Sequence, residues 1–163
     1  ERRTRVLDDT RRENSAEHSW HLATLALALA AYAPAGADVD RAVRMCLVHD
    51  LVEIDAGDAF AFDAAAQADR PARERAAADR LYGLLPEGGA MRALWEEFEE
   101  GASPTARFVH ALDRLAPLLL NLHGEGGSWR AYGVGRGAVR RRMLPIRDGA
   151  PALWPVVERA LAV

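Results

Sequence analysis

The sequence predicts an all-α fold whose helices pack into one compact bundle. Leucines at positions 22, 25 and 29 recur at helical spacing, and typical capping residues precede several apolar stretches. No segment alternates apolar and polar residues as a half-buried strand would. The chain has 163 residues, of which 50% are hydrophobic. We therefore expect a single domain, residues 1–163, with its own core.

The first two predicted helices have clear start signals. Asn14, followed three residues later by Glu17, is a variant of the capping box and predicts a helix over 14–33, which ends at Pro34-Ala35-Gly36. Asp38 predicts the N-cap of a second helix over roughly 39–54. The residues 55–58 predict a turn, whereas the alanine-rich segment 59–69 is ambiguous.

The second half of the chain predicts further helices. Pro71 lies near the first turn of a helix over about 70–85. A fourth helix carries apolar residues at helical spacing, namely Met91, Leu94, Trp95 and Phe98. Ser103 and Pro104 suit the N-cap and first position of a fifth helix over about 104–122, in which Pro117 predicts a kink. The glycine-rich stretch 123–137 predicts a loop, followed by short helices around 136–144 and 150–162.

The overall composition excludes several classes of protein. The net charge of −3 predicts no general affinity for nucleic-acid polymers or anionic membranes. No segment is apolar and long enough to span a membrane. The single cysteine, Cys46, excludes an intramolecular disulfide and fits a reducing cytoplasm. The sequence begins at Glu1 rather than methionine, as expected if N-terminal residues are missing.

Side chains that suit a metal ion occur on three separate predicted helices. His18 begins the leucine stripe of the first helix, and Asp113 lies on the apolar face of the fifth. His49 and Asp50 project roughly 100° apart on the second helix, so both can reach one ion held against it. Burial of a carboxylate is costly unless the group is paired or holds a metal. Imidazole and carboxylate together favour Mn, Co, Fe or Zn over Mg.

Each of these residues also has a purely structural alternative. His18 fits a half-buried helix histidine, and Asp113 can pair with Arg107 or Arg114. Asp50 can pair with a nearby arginine. Four such residues in this order on three helices are nevertheless hard to explain as independent accidents.

Three segments carry a family resemblance: Arg12–Ser19, His49–Asp58 and Ala111–Leu115. In this order they resemble the HD-domain metal-dependent phosphohydrolases, whose pattern is H…HD…D, and more closely the branch that includes the 5′-deoxynucleotidases. The resemblance implies a helical HD-domain bundle with the metal site between helices, and a homodimer. It also implies the ligands of one divalent cation, which are His18, His49, Asp50 and Asp113.

The resemblance implies roles for two further carboxylates. Glu53 would be catalytic, and Asp58, nine residues past His49, would be catalytic and contact the substrate. On the predicted second helix Glu53 lies one turn beyond His49, on the same face, where it can orient the attacking water or pass a proton to the leaving alkoxide. The alternatives are an exposed helix-end carboxylate for Glu53 and a turn-forming aspartate for Asp58.

Arg11 and Arg12 precede the first helix, and guanidinium groups beside a helix N-terminus suit an anion. We therefore expect them to contact the substrate phosphate, with a solvated charge pair as the alternative. Better-known bacterial deoxynucleotidases place an Arg-Trp pair ahead of the first histidine, whereas residues 2–7 contain no tryptophan here. Selection for a deoxyribose therefore stays open.

The functional hypothesis is a phosphomonoesterase that acts on a small 5′-(deoxy)nucleoside monophosphate. The alternatives are an HD-type triphosphohydrolase or phosphodiesterase, and a non-catalytic nucleotide-binding module. Dinuclear relatives need extra histidines between Asp50 and Asp113, where this chain has only His110, so one metal ion is favoured. The segments around Trp95 and Trp154 fit either the core or a homodimer surface.

Overall fold

The computed structural model describes residues 2, 4–8, 10–57, 68–124 and 127–162. These residues form α-helices and no β-strand, which confirms the all-α class. The helices are α1 (Ser15–Ala28), α2 (Val39–Val48), α3 (Glu53–Ala56), α4 (Arg70–Gly83), α5 (Gly88–Glu100), α6 (Pro104–His123), α7 (Gly127–Ala131), α8 (Arg136–Arg142), α9 (Leu144–Gly149) and α10 (Trp154–Ala162).

The centre of the bundle is α6, which packs against α1, α2, α5 and α9. Its fully buried residues Phe108 and Leu112 meet Leu22 of α1 and Met45 of α2 in one apolar core. The backbone of α9 approaches α6 closely, because a Cβ atom at Gly149 would lie 1.9 Å from the Arg107 carbonyl oxygen. A smaller cluster, formed by Val52, Ala56, Ala77, Ala78, Tyr82 and Trp95, joins α3, α4 and α5.

The predicted helix starts are present in the structure. The Asn14 side chain accepts from the Glu17 N–H at 3.0 Å, and the Glu17 carboxylate accepts from the Asn14 N–H at 3.1 Å, which completes a capping box. Asp38 accepts from the Arg41 N–H at 2.9 Å. Ser103 accepts from the Ala106 N–H at 3.0 Å, and Pro104 follows it. Each cap satisfies backbone donors that the first helical turn leaves free.

Two predicted helix ends are wrong. The first helix stops at Ala28 and a 3₁₀ turn, Ala30–Tyr32, follows, so it does not reach residue 33. The predicted second helix is interrupted after Val48. Here the Leu51 N–H donates to the Val48 carbonyl, and the Glu53 N–H to the Asp50 carbonyl, both at 3.1 Å. These i to i+3 bonds tighten the chain into a 3₁₀-like turn. The Tyr82 hydroxyl also donates to the Val48 carbonyl, at 3.2 Å.

The predicted loop over 123–137 is also wrong in part. It contains α7, which is anchored to α6 because the Ser128 hydroxyl donates to the Asn121 side-chain oxygen at 2.9 Å. The helix α6 continues through Pro117 to His123. After α8 a separate short helix, α9, begins at Leu144, and α10 begins at Trp154 rather than at residue 150, after a 3₁₀ turn. The sequence predicted the short helices that correspond to α8 and α10, but not α7 or the separate helix α9.

The N-terminal segment folds back on itself before α1. The Val6 N–H donates to the Arg11 carbonyl at 3.0 Å, and the Glu13 N–H donates to the Thr4 carbonyl at 2.9 Å. This hairpin-like pairing places Arg2 beside Glu13.

Two tryptophans that the sequence leaves open as core or dimer surface pack against the core. Trp95 is 5% exposed and packs in the smaller core cluster, and Trp154 is half-buried against the main core. No helix in the described part of the chain is long and apolar enough to cross a membrane.

Candidate metal centre

Four predicted ligands come from three elements and meet in the interior. His18 projects from α1, His49 and Asp50 lie in the turn after α2, and Asp113 projects from the middle of α6. All four are at most 8% exposed. One potential ligand atom from each of His18, His49 and Asp50 lies within 4.8 Å of the others. Asp113 Oδ1 lies 3.0 Å from His18 Nε2 and so adjoins this group.

The protonation of His49 follows from its hydrogen bond. Its Nδ1 lies 2.8 Å from the Cys46 carbonyl oxygen, and because a carbonyl can only accept, Nδ1 carries the proton. In the neutral ring Nε2 is then an acceptor. It is buried without a hydrogen-bond partner among the described residues and faces Asp50 Oδ1 at 3.0 Å. Two acceptors at this distance repel each other unless a proton or a metal ion lies between them.

His18 is held between two carboxylates. Its Nδ1 lies 3.3 Å from Glu13 Oε2 and its Nε2 lies 3.0 Å from Asp113 Oδ1. Burial lowers the pKa of His18, but the interactions with Asp113 and Glu13 outweigh burial and raise the pKa to about 9. A neutral imidazole can donate to only one of these carboxylates, so the second contact requires either an extra proton or a metal ion. Glu13 is therefore placed to orient the ring of His18, as a carboxylate does beside a histidine that binds a metal.

The donor set fits a divalent cation. Neighbouring ligands bonded about 2.1 Å from an octahedral ion lie roughly 3.0 Å apart. The distance from His18 Nε2 to Asp113 Oδ1 and the distance from His49 Nε2 to Asp50 Oδ1 are both 3.0 Å. Two imidazoles and two carboxylates suit a divalent transition metal, and the two negative charges balance the ion.

Arg2 is a member of the site that the sequence did not single out. Its guanidinium contacts Asp50 through Nη1, and its Nη2 lies 3.9 Å from Asp113 Oδ1. Burial lowers the pKa of Arg2, but the surrounding carboxylates outweigh burial and raise the pKa above its ordinary value. These carboxylates are Asp50, Asp113, Glu53 and Glu13. The sequence offers three arginines within its first five residues and does not single out Arg2, which the backbone pairing of residues 4–13 brings to the site.

The carboxylate of Asp113 is shared. It contacts Arg114 as well as His18, so the structural alternative, pairing with Arg114, is present beside the contact with the first histidine. Burial raises the pKa of Asp113, but the charges of Arg114, His18 and His49 outweigh burial and hold the pKa well below its usual range. Asp113 is therefore an anion at neutral pH and available as a ligand.

An aromatic stack supports the ring of His49. The Phe98 ring lies edge-on to it at a centroid distance of 5.0 Å, and His110 stacks on Phe98 at 4.2 Å. His110 Nε2 lies 2.8 Å from the Phe98 carbonyl oxygen and donates to it. Burial lowers the pKa of His110. This histidine is thus occupied in packing and does not join the ligand group.

Glu53 differs from its predicted setting. It is the first residue of α3 and does not share a continuous helix with His49, because the 3₁₀-like turn separates them. Three residues per turn rotate Glu53 away from the face of His49. It is half-buried and still faces the site, since its charge helps to raise the pKa of Arg2 and of Arg70.

The other predicted substrate contacts lie elsewhere or cannot be placed. Asp58 lies outside the described residues. Arg11 pairs with Glu17, with Nη2 at 2.5 Å from Oε1, and its side chain is 56% exposed. Arg12 is exposed, and its guanidinium lies 3.4 Å from the Tyr132 hydroxyl. The structure therefore does not bring Arg11 and Arg12 together with the four ligands, and their contact with a phosphate stays a prediction.

Comparisons with known proteins give a family match and similar chains. The family profile described as "HD domain" matches residues 1–154. A crystal structure described as a predicted metal-dependent phosphohydrolase from Magnetospirillum magnetotacticum MS-1 is 48% identical and superimposes with a TM-score of 0.92. The match covers 99% of this chain and 81% of that one.

Named relatives match over a shorter stretch. The protein named 5′-deoxynucleotidase HDDC2 from Homo sapiens is 32% identical over 111 residues, which is 67% of this chain and 53% of the relative. The Bos taurus protein of the same name is 34% identical over 109 residues, 66% of this chain and 52% of the relative. The chain spans about half the length of these curated relatives.

Proposed function

The chain belongs to the HD-domain family, and from that premise we propose that it is a metal-dependent phosphohydrolase acting on 5′-(deoxy)nucleoside monophosphates. The observation that carries the proposal is the pair of buried acceptors, His49 Nε2 and Asp50 Oδ1, which face each other at 3.0 Å and call for a cation. The names of the relatives support the nucleotide class.

In this proposal one divalent cation is held by His18, His49, Asp50 and Asp113. When bound, the cation would neutralise charge on a phosphate and acidify a water molecule. Its identity among Mn, Co, Fe, Zn and Mg depends on cellular supply as well as on the ligands. Glu13 and the Cys46 carbonyl hold the two imidazole rings so that each presents Nε2 to the ion.

The proton transfers are assigned to Glu53. A half-buried carboxylate close to Arg2 and Arg70 can take a proton from the attacking water and return one to the leaving alkoxide. Arg2, fixed by Asp50 at the edge of the ligand group, adds a positive charge where a phosphate would bind. Arg11 and Arg12 keep their predicted roles as substrate contacts, and Asp58 keeps its predicted catalytic and substrate-binding roles.

We further propose that the protein acts as a homodimer in the cytoplasm. The family resemblance supports the dimer, and large apolar side chains are exposed on neighbouring helices. Trp20 and Leu27 of α1 are 68% and 61% exposed, and Leu47 of α2 is 48% exposed. The one cysteine, free and buried, is compatible with a reducing compartment.

A phosphatase panel tests the activity. The purified protein, loaded in turn with Mn²⁺, Co²⁺ and Mg²⁺, would be incubated with nucleoside and deoxynucleoside 5′-monophosphates and with sugar phosphates. We expect release of orthophosphate from the nucleotides. Tripolyphosphate from a triphosphate, a ring-opened product from a cyclic nucleotide, or tight binding without turnover would each contradict the proposal and identify the alternative.

A further inference from the structure

Four arginines from separate parts of the chain surround the metal ligands. Arg2 contacts Asp50, Arg114 contacts Asp113, and Arg70 lies 2.6 Å from Glu74. The fourth is Arg142, the last residue of α8. Among the described residues no carboxylate forms an ion pair with Arg142, which distinguishes it from the other three.

The packing of α8 and α9 fixes the position of Arg142. Its neighbours Val139 and Met143 are 3% and 4% exposed and anchor this part of the chain in the main core, so Arg142 is itself half-buried. The following helix, α9, lies against α6 with Gly149 at the Arg107 carbonyl. The charges of Asp113 and Arg114 both act on the Arg142 guanidinium, which places Arg142 near these two residues of α6.

The electrostatics of Arg142 agree with this position. Burial lowers its pKa, the positive charge of Arg114 lowers it further, and the pKa reaches about 10. Arg70 and Arg2 act in the same direction, and only the charge of Asp113 opposes them. The guanidinium therefore stays protonated at neutral pH in surroundings of excess positive charge.

Asp113 cannot neutralise both neighbouring arginines. Its single charge is already shared between Arg114 and His18. A cation bound to Asp113 would also interact with this one negative charge. In addition, Arg114 Nε is buried without a hydrogen-bond partner among the described residues. Two half-buried guanidinium groups next to one carboxylate, with unused donors, form a setting that a doubly charged anion would stabilise.

We propose that Arg142 and Arg114 form an anion subsite beside the metal ligands, which receives the phosphate group of a phosphomonoester; this inference rests on the proposed function. The phosphate would lie between the cation and the two guanidinium groups. Arginine suits this task because its planar fork donates two parallel hydrogen bonds to phosphate oxygens. The subsite is distinct from the predicted contacts Arg11 and Arg12, which precede α1.

Titration calorimetry with inorganic phosphate tests the subsite on the Mn²⁺-loaded protein. Arg142→Met should weaken phosphate binding by about tenfold or more, since a hydrogen-bonded charge is lost. The matched control is Arg141→Met, which removes the exposed neighbouring arginine and should change the affinity by less than about twofold. Equal phosphate affinity of Arg142→Met and the wild-type protein, or no phosphate binding by the wild-type protein, would overturn the proposal.

Two further measurements keep the result interpretable. Circular dichroism and Mn²⁺ content show whether Arg142→Met folds and keeps its metal. If Arg142→Met fails either measurement, Arg142→Gln is checked in the same way and used in its place. Phosphate binding needs no turnover. If the wild-type protein hydrolyses no phosphomonoester but binds phosphate through Arg142, the proposed function fails and the subsite stands. If it hydrolyses nucleotides while Arg142→Met binds phosphate normally, the subsite alone fails.

Discussion

The ring of Phe98 lies edge-on against the ring of His49, with centroids 5.0 Å apart. On its other side Phe98 stacks on His110, which in turn donates to the Phe98 carbonyl. The His49 ring is therefore fixed twice, by this stack and by the bond from Nδ1 to the Cys46 carbonyl. Such outer contacts set the orientation of a metal-binding imidazole.

Replacing Phe98 should weaken metal binding. We expect Phe98→Leu to lower Mn²⁺ affinity by about tenfold, because the His49 ring gains freedom, and to destabilise the fold by about 1–2 kcal/mol. Titration calorimetry and thermal unfolding measure the two effects. The control is Ile146→Val in α9, which should cost about 1 kcal/mol at a buried site away from His49 and leave the affinity unchanged. Equal losses of Mn²⁺ affinity in both variants would mean that Phe98→Leu acts only by lowering the stability of the fold.

Glu53 should matter for turnover and not for metal binding. Removing a general acid–base group commonly costs about 10²–10⁴ in rate, so Glu53→Gln should lose that much kcat while retaining one Mn²⁺ per chain. Asp55→Asn is the matched control in the same short helix, where Asp55 pairs with Arg80 away from the ligands. Full activity of Glu53→Gln in a steady-state phosphate-release assay would remove Glu53 from the mechanism.

Local signals predicted the framework of this fold well. The residues next to Asn14, Asp38 and Ser103 indicate that each begins a helix. Neighbouring residues likewise place His18 and Asp113 on helices. These features depend on spacing of a few residues, which sequence reports directly.

Long-range contacts set the features that the sequence did not predict. Arg2 and Glu13 join the site only because two backbone hydrogen bonds pair residues 4–13. The interruption after Val48 has no glycine or proline to mark it, and the bond from the Tyr82 hydroxyl comes from a helix 34 residues further along the chain. In the sequence Arg142 is one of three consecutive arginines, and only its surroundings in the fold distinguish it from the other two.

Cys46 should report on unfolding. The thiol is buried in the core, and burial together with the charge of Asp113 raises its pKa to about 12. Because the thiolate is the reactive form, a disulfide reagent at pH 8 should not react with Cys46 in the folded protein. Labelling should therefore be no faster than unfolding of the whole protein. The temperature at which labelling becomes fast should coincide with the midpoint seen by circular dichroism. Rapid labelling of the native protein would contradict the burial of this residue.

The capping box of α1 should confer a pH-dependent stability. The side chain of Arg11 and the Asn14 N–H lower the pKa of Glu17 from 4.5 to about 2. Since the folded pKa is the lower one, the contribution is complete above pH 4.5 and is lost as the pH falls toward 2. Glu17→Gln should thus lower the Tm at pH 7, and the difference from the wild-type protein should shrink below pH 4.5. Glu87→Gln, at an N-cap without a side-chain hydrogen bond, is the matched control.

The central claim is one divalent cation held by two imidazoles and two carboxylates. Metal content after Mn²⁺ loading and gel filtration measures it directly, for the wild-type protein and for Asp113→Asn, with Asp148→Asn as an exposed control. We expect one Mn²⁺ per chain in the wild-type protein and in Asp148→Asn, and a large loss in Asp113→Asn. Two ions per chain, none, or full retention by Asp113→Asn would contradict the account.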